Sequence, residues 1–227
     1  MSYDFAFPAK STMGKLDALT TGTVWANVQN KHSAPGICTL SGEGLLKLYR
    51  GSGAVRVLNL LRDIAHAIPQ FLSRADRPIV DIRVGKRWPI MPEGWMNEHV
   101  NTSDWEVRDE PWEEIGVGEI FGGSCWSEGS MLLTTAELPG IHLRTDTLQL
   151  TVLDHVHVHV QIDRIDGDRI VLAISNPTAF PARVKILLED ATSMRKPLGT
   201  TAMADPLCTA VPAGTTVRYE VPRGLPG

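Results

Sequence analysis

A segment rich in tryptophan and carboxylates carries the residue types that bind sugars. Residues 74–118 hold four of the six tryptophans of the chain, beside many acidic side chains. A tryptophan ring covers the apolar C–H face of a pyranose, while amides and carboxylates pair with its hydroxyl groups. Because a disordered linker has little use for large apolar rings, we expect a functional loop here. The four tryptophans are Trp88, Trp95, Trp105 and Trp112.

The carboxylates are candidates for acid and base chemistry. Glycoside hydrolysis usually needs two carboxyl groups, one protonated as the acid and one ionised as the base or nucleophile. Most of the acidic residues are expected to form a solvated rim, since charged side chains are mostly exposed. The set comprises Glu93, Glu98, Asp104, Glu106, Asp109, Glu110, Glu113, Glu114, Glu119 and Glu128. From it we select Glu98, Asp104 and Glu128 as catalytic candidates.

An eliminative reaction would need a different set of side chains. A base removes a proton next to a carboxylate, and neutral or cationic groups hold the resulting enolate. His32 lies in the polar stretch "NVQNKHSAPG" just ahead of a predicted helix, so it is the fourth catalytic candidate. The sequence does not decide between hydrolysis and elimination. The candidates for substrate binding are Asn30, Trp95, Asn97, Asn101, Trp105 and Trp126.

Histidines alternate with valines in "LDHVHVHVQI", where His155, His157 and His159 would share one face of a strand. A zinc site needs three or four ligands in a closed geometry, and a row on one strand supplies no such geometry. We predict the outer side of a strand here, with a metal ion as the alternative. The three cysteines are far apart and form no CxxC pair, which argues against a disulfide framework and a structural zinc knuckle. We expect no cofactor.

The predicted elements fall into a helical part and a strand part. An amphipathic helix begins near Ala54 in "AVRVLNLLRDIAHAIPQFLSR", and "CTLSGEGLLKLYRGSG" predicts a helix before it, so the two would form an antiparallel hairpin. A third helix fits "SCWSEGSMLLTTAEL", and a weaker one is predicted within 12–29. From Leu148 onward, alternating segments and an Asp-Gly turn at 166–167 predict an antiparallel β-sandwich. The predicted fold is therefore α+β, with a helical domain at 1–145 and a β-sandwich domain at 146–227.

Several quoted runs resemble a known family. The runs "WANVQNKHSAPGICTLSGEGLLKLYRGSG", "LLRDIAHAIPQFLSR", "WMNEHVNTSDWE" and "GSCWSEGSMLLTTAELPGIHL" resemble the last hairpins of six-hairpin glycosidase-like proteins, which are carbohydrate-active α/α toroids. Some members end in a β-sandwich, and "LDHVHVHVQIDRIDGDRIVLAISNPTAFPARVKILLED" is similar to such a cap. A full toroid has about twelve helices and this sequence predicts three or four. The helices are thus expected to form part of a toroid.

The resemblance implies a portion or subunit of a glycoside hydrolase or polysaccharide lyase. A non-catalytic structural or carbohydrate-binding subunit of a larger assembly is the alternative. In either case we expect a saccharide ligand, and an oligomer or a longer chain. The formal charge of −4 and the lack of a basic run argue against nucleic acid, and no apolar run reaches the roughly 20 residues that span a bilayer. The expected location is the cytoplasm.

Overall fold

The computed structural model of the chain has an α+β fold with two compact units. Unit 1 comprises Met1–Gly42 and Asp63–Thr135, and unit 2 comprises Glu43–Arg62 and Ala136–Gly227. The division of the sequence into domains at 1–145 and 146–227 stays a prediction. The structure describes residues 4, 6–25, 32–34, 42–80, 91–102, 117–123, 132, 136, 138–153, 158–198 and 207–225.

The two helices of the predicted hairpin are confirmed. Helix α1 is Gly42–Ser52, and helix α2 is Val55–Ala67, which continues into a 3-10 turn at Ile68–Phe71. Between the helices, Gly53 has φ +66°, which glycine adopts without steric cost, and its N–H donates to the Tyr49 carbonyl at 2.7 Å. This contact ends α1 and turns the chain into α2.

The third predicted helix lies mostly outside the described residues. Within 124–138, the described residues Leu132 and Ala136 are helical. Across the described parts of the chain, no helix combines the length and the apolar character needed to cross a membrane.

The weaker helix predicted within 12–29 is wrong. Its place is taken by a 3-10 turn at Gly14–Leu16 and by strand β1, Val24–Trp25. Glycines and a run of threonines between these elements have low helix propensity, and β-branched residues favour extended backbone.

Unit 1 contains a four-stranded antiparallel sheet in the order β1-β2-β3-β4. Strand β3 falls inside the interval 74–118, which had been predicted as a loop without regular structure. Its inner face packs in a cluster of buried apolar side chains from several segments. The bounds of the three strands that follow β1 are His32–Ala34 for β2, Asn97–Asn101 for β3 and Ile120–Gly123 for β4. The cluster includes Met13, Ile68, Phe71, Ile79, Met96, Val100 and Ile120.

The described part of unit 2 contains two sheets, ordered β10-β9-β5-β6 and β11-β8-β7. Strands β5 and β9 pair in parallel, and the other neighbours pair antiparallel. The Asp-Gly turn is confirmed, because Asp166 ends β7 and Gly167 adopts φ +59° before β8. The strands are β5 at Ile141–Arg144, β6 at Gln149–Val152, β7 at His159–Asp166, β8 at Arg169–Ser175, β9 at Ala182–Glu189, β10 at Leu207–Val211 and β11 at Thr216–Pro222.

The two sheets of unit 2 contribute to one buried apolar cluster. Every second residue of a strand lies on the same face, and in this way β5, β8 and β9 supply two, three and four members, while β10 and β11 supply one each. Burying such side chains is the main favourable term in the folding of a domain. The members are Ile141, Leu143, Val158, Ile170, Leu172, Ile174, Ala182, Val184, Ile186, Leu188, Val211 and Val221.

The structure describes one of the three histidines of the row, His159. His159 begins β7 and is exposed, whereas the preceding Val158 is buried in the apolar cluster of unit 2. His155 and His157 lie outside the described residues. The alternation of buried valine and exposed histidine is thus present where the row enters the sheet.

The carboxylate of Asp190 should make the stability of unit 2 depend on acid pH. The backbone N–H groups of Ser193 and Thr192 donate to Asp190 Oδ1 at 2.7 and 2.9 Å. These bonds hold the pKa of Asp190 below its ordinary value of 3.8. A lowered folded-state pKa contributes stability above the unfolded-state value, and this contribution is lost as the pH falls through the folded-state value.

We therefore expect Asp190→Asn to lower the free energy of unfolding at neutral pH. The difference in the free energy of unfolding between the variant and the wild type should become smaller as the pH falls from about 5 to about 2. Urea unfolding followed by circular dichroism at several pH values measures this difference. A difference that stays constant over this range would contradict the assignment.

Candidate functional site

Four of the predicted site residues lie on strand β3 or just before it. Trp95 precedes the strand, and Asn97, Glu98 and Asn101 lie on it. The fifth described candidate, His32, begins the neighbouring strand β2. The remaining candidates fall outside the described residues. These are Asn30, Asp104, Trp105, Trp126 and Glu128.

Two backbone hydrogen bonds fix the position of Trp95, and the residue is 47% exposed. Its N–H donates to the Pro92 carbonyl at 3.1 Å, and its carbonyl accepts from the Ser73 N–H at 2.8 Å. A large apolar ring exposed to this extent on a fixed backbone can contact a ligand with little loss of backbone entropy.

The two asparagines of β3 are polar side chains in buried positions. Asn97 and Asn101 lie four residues apart on the strand, so they stand on one face of it. Both are buried. Val100, on the opposite face, lies in the apolar cluster of unit 1. The strand thus separates an apolar side from a side that carries amides.

Three chemically distinct residue types meet at one level of the sheet. Asn101 pairs with His32 of β2 in the register of the two strands. On the other side, the Asn101 N–H donates to the Glu119 carbonyl at 3.0 Å, and the Asn101 carbonyl accepts from the Gly118 N–H at 2.8 Å. A histidine of β2, an asparagine of β3 and the glutamate just before β4 therefore follow one another across the sheet.

Gly118 and Glu119 form a β-bulge opposite Asn101. Two residues face one, and the first is a glycine at φ +83°, as in the bulge type that begins with a left-handed glycine. A Cβ at position 118 would lie 2.2 Å from Ser11 Oγ. Glycine is thus required both by the backbone angle and by the close approach of Ser11.

The bulge directs the Glu119 side chain to Thr12. The Thr12 N–H donates to Glu119 Oε1 at 3.2 Å, and Thr12 Oγ1 lies 2.5 Å from Glu119 Oε2. The Met13 N–H also donates to the Gly118 carbonyl at 2.9 Å, which fixes this segment against the bulge. Thr12 is buried, whereas Glu119 stays partly exposed. A carboxylate that is oriented and still accessible can bind a ligand or transfer a proton.

The sequence places Glu119 in its acidic set without making it a catalytic candidate, and no pattern in the sequence points to Thr12. Thr12 and Glu119 are 107 residues apart, so no local pattern joins them. The available signal was the glycine before Glu119, since a glycine at a strand end often marks a bulge.

A second polar cluster lies in unit 2 around Glu189 of β9. Arg50 Nε of α1 donates to Glu189 Oε1 at 2.7 Å, and His142 Nε2 of β5 lies 3.0 Å from Glu189 Oε2. An Arg50 terminal nitrogen donates to the Ser193 carbonyl at 2.9 Å. The Tyr49 ring meets the His142 ring edge-on, with centroids 5.8 Å apart and an angle of 88°. These contacts join α1 to the sheet.

This second cluster is closed to solvent. The side chains of Glu189 and His142 have 0% exposure, and that of Arg50 has 4%. Among the described residues, His142 Nδ1 has no hydrogen-bond partner. Side chains this closed to solvent offer a ligand no accessible surface. We therefore assign the cluster to the architecture of unit 2.

No metal cluster is present in the described parts of the chain, in the sense of three or more His, Cys, Asp or Glu side chains placed around one ion. Comparison with protein-family models, with curated proteins and with solved structures found no match. The case for a function thus rests on the residues of unit 1.

We expect Gly118→Ala to destabilise the protein much more than Gly94→Ala. Gly94 has φ +85° but open space around it, so its substitution measures the cost of the backbone angle alone, about 1 kcal/mol. Gly118→Ala adds the overlap with Ser11, for a total of at least about 3 kcal/mol. Chemical denaturation of both variants measures the difference. Equal losses would contradict the close packing at the bulge.

We expect Arg50→Met to cost about 3–5 kcal/mol, because it leaves a buried carboxylate without its cation. The control is Arg169→Met, which removes an ion pair with 62% and 48% exposed side chains and should cost less than about 1 kcal/mol. The double variant Arg50→Met/Glu189→Met should recover most of the loss. Chemical denaturation measures all three, and equal effects of the two single variants would contradict the structural role.

Proposed function

We propose that the chain is a carbohydrate-active protein, a portion or subunit of a glycoside hydrolase or polysaccharide lyase that acts on an oligo- or polysaccharide. The observation that carries the proposal is the half-exposed Trp95 beside β3. The strand adds Asn97 and Asn101, and its neighbours add His32 and Glu119. A ring for a sugar face and polar groups for its hydroxyls thus occur together in unit 1.

The proposal assigns separate roles to these residues. Trp95 covers a sugar face, and Asn97 and Asn101 are candidates for binding its hydroxyl groups. Glu98, Asp104, Glu128 and His32 are the catalytic candidates. Asn30, Trp105 and Trp126 are further candidates for substrate binding. A hydrolase would use two of the carboxyl groups, and a lyase would use a base with a group that holds an enolate.

The architecture proposed with this function is a partial α/α toroid followed by a β-sandwich. The single apolar cluster fed by both sheets of unit 2 supports the sandwich. Helices α1 and α2 would be one hairpin of the toroid.

A non-catalytic subunit of a larger assembly is the second candidate. Exposed apolar side chains on the α1–α2 hairpin favour it, because Leu48, Val55 and Leu60 expose about half of their surface. Exposed apolar side chains on neighbouring helices favour association with another chain or with further helices of a longer one. Size-exclusion chromatography with light scattering separates the candidates, and a monomer that turns over a saccharide would exclude the non-catalytic one.

We expect Trp95→Ala to weaken saccharide binding at least about tenfold, since truncation of an aromatic anchor typically costs more than 1 kcal/mol. Calorimetric titration with cellohexaose, xylohexaose and trigalacturonate measures the affinity. The matched control is Leu60→Ala, which removes an apolar side chain of the same 47% exposure on α2. The proposal fails if the wild type binds none of these probes, or if both variants bind as the wild type does.

A further inference from the structure

We propose that Glu119 is a ligand-binding residue for a hydroxyl group of a neutral saccharide, and that Thr12 is the residue that positions its carboxylate. The inference rests on the proposed function and deepens it, because it names the class of sugar. It starts from the two contacts between Thr12 and Glu119.

The carboxylate of Glu119 keeps capacity for a ligand. Two carboxylate oxygens offer about four acceptor positions, and Thr12 occupies one position on each oxygen. Glu119 is partly exposed, so solvent or a ligand can reach part of this residue. A carboxylate accepts hydrogen bonds and donates none when ionised, so its complement is a donor such as a sugar hydroxyl.

The Thr12 side chain orients this acceptor from a buried position. Its hydroxyl lies 2.5 Å from Glu119 Oε2 and 2.9 Å from the Val80 carbonyl oxygen. A hydroxyl has one hydrogen, and the charged acceptor makes the stronger bond. Together with the Thr12 N–H on Oε1, this contact fixes both carboxylate oxygens and therefore the direction of the free acceptor positions.

The backbone around the pair makes the orientation rigid. The Gly118 bulge is bonded to Asn101 on one side and to Met13 on the other. A binding group held in this way loses little conformational entropy when a ligand arrives. Thr12 therefore holds the Glu119 carboxylate beside β3 as a hydrogen-bond acceptor that is already oriented before a ligand binds.

The negative charge of the Glu119 carboxylate favours one class of sugar over another. The Glu119 side chain carries a carboxylate, and a uronate bound to it would bring a second negative charge close to the first. Like charges at short distance repel each other, most strongly where water is partly excluded. We therefore infer a neutral oligosaccharide as the ligand, which favours hydrolysis over elimination next to a uronate.

Two substitutions at Thr12 separate positioning from stability. Thr12→Val keeps the methyl group and removes the hydroxyl, whereas Thr12→Ser keeps the hydroxyl and removes the methyl group. We expect Thr12→Val to bind the neutral probes about three- to tenfold more weakly, as for the loss of one hydrogen bond. Thr12→Ser should lower the melting temperature because a buried methyl group is lost, yet bind as the wild type does.

Glu119→Gln tests the ligand-binding residue itself. The amide keeps one acceptor oxygen for the Thr12 N–H but loses the charge, so we expect affinity to fall at least about tenfold. Calorimetry uses the full chain with cellohexaose, xylohexaose and trigalacturonate, and circular dichroism verifies folding. The neutral probes should bind more tightly than trigalacturonate.

The outcomes distinguish this inference from the proposed function. If the wild type binds and Trp95→Ala loses binding, but Glu119→Gln and Thr12→Val bind like the wild type, the inference is overturned while the proposed function stands. Tighter binding of trigalacturonate than of the neutral probes overturns the inferred class of sugar. If Thr12→Ser loses as much affinity as Thr12→Val, the positioning role is overturned. A wild type that binds no probe contradicts the proposed function, and the inference with it.

Discussion

The buried carboxylate of Glu189 is the group on which the arrangement of unit 2 depends. A carboxylate without exposed surface is stabilised only where donors surround it, and Arg50 and His142 supply those donors. Polar contacts of fixed geometry therefore determine where α1 lies against β5 and β9. Apolar packing alone would tolerate small shifts of a helix, whereas a buried carboxylate with a polar partner on each oxygen does not.

Unit 1 relies on a steric constraint instead. Gly118 permits a bulge that no other residue could adopt beside Ser11, and the bulge sets the direction of Glu119. The electrostatic constraint in unit 2 encloses its charged groups, and the steric constraint in unit 1 leaves a carboxylate accessible. Glu189 is therefore a structural group of unit 2, and the partial exposure of Glu119 is the basis of its proposed ligand-binding role.

Sequence patterns predicted the elements that repeat over several turns or residues. The apolar stripe located α2, the Asp-Gly turn located the β7–β8 hairpin, and alternation located β7 and β11. The strands of unit 1 have two to five residues, too few for a period to appear. His32 and Asn101 were selected singly by residue type, but their pairing and the contact of Thr12 with Glu119 join distant segments, which no local pattern encodes.

The distance along the chain between Arg50 and Glu189 also has a consequence during synthesis. The two residues are 139 positions apart, and a ribosome adds about 5–20 residues per second. Helices α1 and α2 therefore exist on the order of ten seconds before the strand that neutralises Arg50 has been made. Until β5 has been made, the buried ring of Tyr49 lacks His142, the strand residue that it meets edge-on in the finished fold. A nascent chain paused before β9 would present this hairpin to chaperones as an amphipathic, positively charged segment.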